Sequence, residues 1–94
     1  MAVSKTWYVY LIECSDGSLY TGITVDLAAR FAAHRDGRGA RAMRLHAPVR
    51  MLAAEAYPDR SAASKAEYRI KRLTAAEKRA HAATMIPDPL ASPV

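Results

Sequence analysis

Asparagine and glutamine are missing from all 94 positions of the chain. Every amide-type hydrogen bond, and every metal ligand, must therefore come from other side chains or from the backbone. A single cysteine, Cys14, excludes an internal disulfide and a cysteine metal cluster. At the end of an apolar stretch it reads as a buried structural thiol. Phe and Trp occur once each, and no apolar run is long enough to span a bilayer. Residues Met1 to Thr6 have neither the apolar stretch nor the cleavage site of a secretory leader, so a cytoplasmic location away from membranes is expected.

The length allows one domain, with a core burying about 65% of the unfolded surface. Residues 1–85 read as that domain and 86–94 as a loose tail, because Pro87, Pro89 and Pro93 keep it from continuing as helix. Alanine supplies 20 of the hydrophobic residues, against seven Leu, five Val and four Ile. Such a composition suits helices laid close on a small sheet better than a β-sandwich. Ten Arg and four Lys against nine acids leave +5. A basic small domain favours polyanionic partners, nucleic acid first.

Trp7 to Cys14 is aromatic and β-branched and reads as a strand. Asp16-Gly17 then signals a hairpin in which both central residues take φ > 0, with Leu19 to Ile23 returning. Gly22 inside that strand marks a close approach of backbone or ligand. Thr24 or Asp26 caps a helix to about Arg35. On it Arg30 and His34 form a stripe about 60° from the apolar Leu27/Phe31 stripe. Arg35 to Arg50 is a Gly- and Arg-rich connection, long enough to suggest function. Val49 to Tyr57 reads as a third strand. Ser61 caps a helix through Leu73, with Glu67 interrupting its apolar stripe of Ala63, Ala66, Ile70 and Leu73. Thr74 to Glu77 is a capping box that opens a third helix to about Met85.

Five polar residues call for a joint explanation: Tyr10 and Tyr20 on paired strands, Arg30 and His34 on the next helix, and Glu67. Taken singly, each has a structural reading, including an ion pair of Glu67 with Arg30 or Lys71. Taken in order they resemble the GIY-YIG nuclease superfamily. Tyr8-Val9-Tyr10 stands at the first tripeptide and Tyr20-Thr21-Gly22 at the second, with nine residues between. Arg30, His34 and a distant helical Glu67 follow in the family's order. Ser18 to Thr24 and Ile70-Lys71-Arg72-Leu73 are similar to the small single-domain bacterial branch, which is like the N-terminal domain of an excinuclease. The resemblance spans about residues 6 to 80.

That resemblance implies an α+β fold, a three-stranded antiparallel sheet flanked by helices. It implies an endonuclease that hydrolyses nucleic-acid phosphodiesters, DNA before RNA, with one Mg²⁺ or Mn²⁺, and a use in DNA repair. Glu67 would be the metal ligand and Arg30 a phosphate clamp. Tyr20 is the first choice as base and Tyr10 its partner, with the order open to reversal, and His34 accepts a proton or orients a tyrosine. A hard ion that keeps most of its waters needs only one carboxylate. Arg30 and a metal-bound water would lower a tyrosine pKa. Arg35, Arg38, Arg41, Arg44 and Lys71 are the expected phosphate contacts. Without an added reading domain, sequence specificity should be low.

Three positions depart from the pattern. Tyr8 replaces the first Gly, Thr24 stands where many relatives carry Lys, and no Asn exists to contact phosphate. A non-catalytic nucleic-acid-binding module on the same scaffold is the alternative. A third reading is a weak homodimer or interaction subunit packing through the Ala-rich last helix.

Overall fold

The computed structural model describes residues 5–39, 41 and 45–91. Eight residues, Trp7–Cys14, form β1, and Leu19–Thr24 form β2. They are followed by α1 (Leu27–Arg35), β3 (Pro48–Tyr57), α2 (Arg60–Lys71), α3 (Ala75–Ala82) and β4 (Ile86–Pro87). The sheet is antiparallel with order β2-β1-β3-β4. It has four strands rather than the expected three. Ile86 and Pro87 pair with Ala54 and Ala53, and Asp88 N–H donates to Leu52 C=O at 3.1 Å. This short edge lies in the proline-rich segment expected to be loose. Proline is tolerated there because an edge strand spares one N–H.

β1 is an interior strand, flanked by β2 and β3, and its Val9, Tyr10, Leu11 and Ile12 are all fully buried. Alternation divides its side chains between two cores. Val9 and Leu11 pack with Ala53 of β3, Ala63, Ala66 and Ile70 of α2, and Ala82 and Met85 near α3. Tyr10, Ile12 and Cys14 pack on the opposite face with Met51, Ala54, Leu27 and Phe31, under α1. The abundant alanine has its use here: Ala53, Ala63 and Ala66 are at most 1% exposed. Small side chains at that seam let a helix sit close to the sheet.

The local signals account for most boundaries. Asp26 rather than Thr24 caps α1, accepting from Ala29 N–H at 3.0 Å. Thr24 Oγ1 instead accepts from Asp26 N–H at 3.1 Å. The expected cap at Ser61 is displaced to Asp59, whose extended backbone lets its carboxylate accept from Ala62 N–H at 2.8 Å. The capping box at Thr74 and Glu77 is formed in both directions. α2 stops at Lys71 and α3 at Ala82, each short of expectation, because tight turns follow: Leu73 N–H bonds Ile70 C=O and Met85 N–H bonds Ala82 C=O, both at 3.0 Å. The hairpin also differs in detail. Only Gly17, at φ 85°, takes the left-handed conformation there, while Asp16 accepts from Ser18 N–H and Oγ. The loop is thus a four-residue connection closed by Cys14 N–H on Ser18 C=O at 2.9 Å. Cys14 is buried, and that burial raises its thiol pKa, in keeping with a structural role.

Candidate active site

Register decides which tyrosines meet. Tyr10 pairs with Gly22 and Ile12 pairs with Tyr20, so Tyr10 and Tyr20 are diagonal neighbours on one face of β1 and β2. Their ring centroids lie 6.3 Å apart. Gly22 makes room for the Tyr10 ring: a Cβ there would lie 2.5 Å from Tyr10 Cζ. That is the close approach the glycine in this strand announces.

α1 brings the third ring. The Tyr10 hydroxyl and His34 Nε2 are hydrogen-bonded at 2.9 Å, and the His34 and Tyr20 rings meet edge-on at 5.2 Å. His34 is 1% exposed, buried rather than at the edge of the helix face. The reason is Gly39, in the connection after α1. A Cβ at Gly39 would come within 2.6 Å of His34 Cε1, so the backbone there lies directly against the imidazole. Nothing in the sequence marks this contact except the presence of a glycine in the connection.

Burial, and secondarily the charge of Arg30, hold the His34 pKa below its ordinary value. The Tyr10 pKa is pushed well up, first by burial, then by Tyr20; Arg30 opposes this and Glu67 adds to it. The phenol and the imidazole therefore meet as neutral groups, with Nε2 able to accept from Tyr10 when the ring proton is on Nδ1. The expected cation-driven lowering of a tyrosine pKa does not hold at Tyr10, because burial outweighs Arg30. Tyr20, by contrast, is only half-buried.

Arg30 is exposed, and its charge acts on both Tyr10 and His34. It lines a shallow groove of about 460 Å³ with Thr24, Asp26, Ala29, Ala33 and Arg38. Glu67 is half-buried on α2, and its charge also acts on Tyr10. Its Oε2 lies 3.3 Å from Lys71 Nζ, one turn on. An i, i+4 helical pair of this kind contributes only about 0.3–0.5 kcal/mol, so a stronger ligand can displace it. Among the described residues, no three of His, Cys, Asp and Glu gather into a metal cage. A lone, half-exposed carboxylate fits a hard divalent ion that keeps its waters and takes phosphate oxygens; it does not fit a tetrahedral zinc site.

The cations expected to contact phosphate are placed unevenly. Arg35 and Arg38 both lie near Asp36, at 3.8 and 3.1 Å, while Arg41 is exposed and Arg44 falls outside the described residues. Lys78, not marked by any sequence signal, reaches Leu19 C=O at 3.2 Å, beside Tyr20 on the edge strand. Burial, then Lys71, lowers its pKa. On the far side of the hairpin, Glu13 pairs with Arg50 at 3.2 Å and Arg79 at 2.9 Å, and Arg79 donates to Gly17 C=O at 3.0 Å. This network ties α3 to the turn that sets the β1–β2 register.

Residues 6–80 match the family model described as GIY-YIG catalytic domain. A UPF0213 protein of Cupriavidus pinatubonensis is 48% identical over 85 residues, covering 90% of this chain and 94% of that protein. Another, from Xanthomonas axonopodis pv. citri, is 53% identical over 78 residues, covering 83% and 76%. The solution NMR structure of a UPF0213 protein from Bacillus halodurans aligns with a TM-score of 0.54 at 38% identity, covering 84% of each chain.

Proposed function

Since the chain belongs to the GIY-YIG catalytic-domain family, a family of nuclease type whose members generally use divalent metals and act on nucleic acid, we propose that it hydrolyses phosphodiester bonds as a metal-dependent endonuclease. In this reading the substrate is DNA before RNA, sequence specificity is low, and the activity serves DNA repair. The observation that carries the proposal is the Tyr10–His34–Tyr20 ring cluster, with Arg30 and Glu67 acting electrostatically on Tyr10.

Roles follow from burial and charge. Tyr20 is half-buried and can reach water, so it is the base: its hydroxyl gives up its proton to solvent, and the phenolate takes the proton of the attacking water. Tyr10 is fully buried and holds its proton, so it positions Tyr20 rather than replacing it. His34 fixes Tyr10 through the 2.9 Å bond and packs edge-on against Tyr20. Arg30 clamps a nonbridging phosphate oxygen with its guanidinium fork. Glu67 would hold the Mg²⁺ or Mn²⁺ in place of its pairing with Lys71, and the ion would supply positive charge to the phosphate and the departing oxygen. Lys78, beside Tyr20, adds positive charge on the β2 edge where no Asn is available.

The test is incubation of purified protein with supercoiled, linear, branched and single-stranded substrates, with Mg²⁺, with Mn²⁺ and with chelator. Metal-titratable products that disappear in Glu67→Ala bear the proposal out. Products that persist in Glu67→Ala contradict it. The Glu67–Lys71 ion pair favours a second reading, a scaffold that binds nucleic acid without turnover. That reading requires salt-dependent binding with no products at any metal concentration.

A further inference from the structure

Residues 60–72 carry five cations, Arg60, Lys65, Arg69, Lys71 and Arg72, against one carboxylate, Glu67. Most of the net charge of the chain therefore sits on and beside α2. Its apolar positions Ala63, Ala66 and Ile70 are buried against the sheet. At about 100° per residue, Lys65, Tyr68, Arg69 and Arg72 point to the other side. All four are exposed, Tyr68 by 64%.

Ion pairing distinguishes Arg35, Arg38 and Arg50 from most of the α2 cations; Arg41 is exposed, and Lys71 pairs with Glu67. Arg35 and Arg38 share Asp36, and Arg50 is held by Glu13 and Asp88. Among the described residues, Lys65, Arg69 and Arg72 make no ion pair. Arg72 instead donates to the Tyr68 hydroxyl at 2.9 Å, with its guanidinium 5.5 Å from the ring centroid. An exposed aromatic held beside unneutralised cations has the chemistry of a platform for a base flanked by phosphates. Lys71, and then Glu67, lie on the flank of the same helix, so the surface runs without a break from Tyr68 to the candidate metal ligand.

We infer that the outer face of α2 is the track on which a nucleic-acid strand lies, with Lys65, Arg69 and Arg72 holding phosphates and Tyr68 stacking on a base. This rests on the family's nucleic-acid substrate but not on turnover. It shifts the main phosphate contacts from the Arg35 to Arg50 connection to a helix adjoining the site. The strand is DNA in this account; RNA offers the same phosphates and bases and forms the second arm of the test.

The test is fluorescence anisotropy of a labelled single-stranded DNA oligonucleotide, and of its RNA counterpart, in chelator over a range of salt concentrations. The Lys65→Ala/Arg69→Ala/Arg72→Ala variant should lower the slope of log K against log salt by about 2, at roughly 0.7 per phosphate on a single strand. Tyr68→Ala should weaken binding roughly 5- to 150-fold, and Tyr68→Phe should retain most of it. The Arg35→Ala/Arg38→Ala variant should keep a slope closer to wild type. All these side chains are exposed, and circular dichroism melts check that the variants fold. An unchanged slope in the triple variant, unchanged affinity in Tyr68→Ala, or no binding by the wild type overturns the inference. Tighter binding to RNA would replace DNA as the strand. Because the measurement excludes metal, a protein that binds this way but never cuts keeps this surface and loses the nuclease reading. One that cuts while the triple variant binds normally does the reverse.

Discussion

His34 shows at the residue scale how a single contact changes the chemistry of a site. Its spacing from Arg30 was legible in the sequence, and its burial was not, because the group that covers it is the backbone of Gly39, from a connection without periodic pattern. Burial then fixes its charge state. The His34 pKa is depressed in the folded protein, so the stability it contributes is complete above its unfolded value of about 6.5 and is lost as pH falls through the lower folded value. Thermal melts should show Tm dropping as pH falls from 6.5 toward 5, with a shallower slope in His34→Leu; equal slopes would remove His34 as the cause. Gly22 is legible for the opposite reason: a glycine inside a strand announces a close approach, and Tyr10 is what approaches. Gly22→Ala should cost about 1–3 kcal/mol in chemical denaturation, because the Tyr10 ring is buried and hydrogen-bonded and cannot easily move aside.

Elements were legible where side-chain chemistry punctuates them. The Thr74–Glu77 box and the aromatic strand of β1 follow directly from their residues. Thr74→Ala should destabilise the protein by about 1 kcal/mol in denaturant titration, with little change if α3 were held by packing alone. The third strand was legible despite its alanines, since Val49 to Tyr57 differs from the observed strand only by Pro48. The fourth was not, because a two-residue edge strand containing Pro87 has no pattern of its own and exists only by pairing with Ala53 and Ala54. Ser61 reads as a cap because serine is a good one; Asp59 outcompetes it by lying after the strand end with an extended backbone. At the site, the order Tyr10, Tyr20, Arg30, Glu67 could be read, while the ion pairing of Glu67 with Lys71 rather than Arg30 depended on rotamers the sequence does not carry.

For the whole molecule, the net charge of +5 is a sum that hides its distribution. Among the described residues, Glu13, Asp36 and Asp88 pair with arginines near the hairpin and the connection, whereas Lys65, Arg69 and Arg72 of α2 and its C-cap have no ion pair. The Glu13 network also couples distant parts, joining β1, β3, α3 and the turn at Gly17. Its arginines are exposed and screened, so Arg79→Ala should lower Tm at low ionic strength, and the difference should shrink at 1 M salt. A salt-independent loss would instead indicate packing of the arginine stem.

The proposed division of labour falls on two tyrosines that the register makes diagonal neighbours on one face of the sheet. Single-turnover nicking of supercoiled DNA by Tyr20→Phe and Tyr10→Phe, beside wild type at saturating metal, measures it directly. Loss of a general base should slow Tyr20→Phe by roughly 10²- to 10⁴-fold. Tyr10→Phe should fall much less and lose about 0.5–1.5 kcal/mol of stability with its bond to His34. A Tyr20→Phe variant that cuts as fast as wild type, or a Tyr10→Phe variant that is the more impaired of the two, would contradict the account.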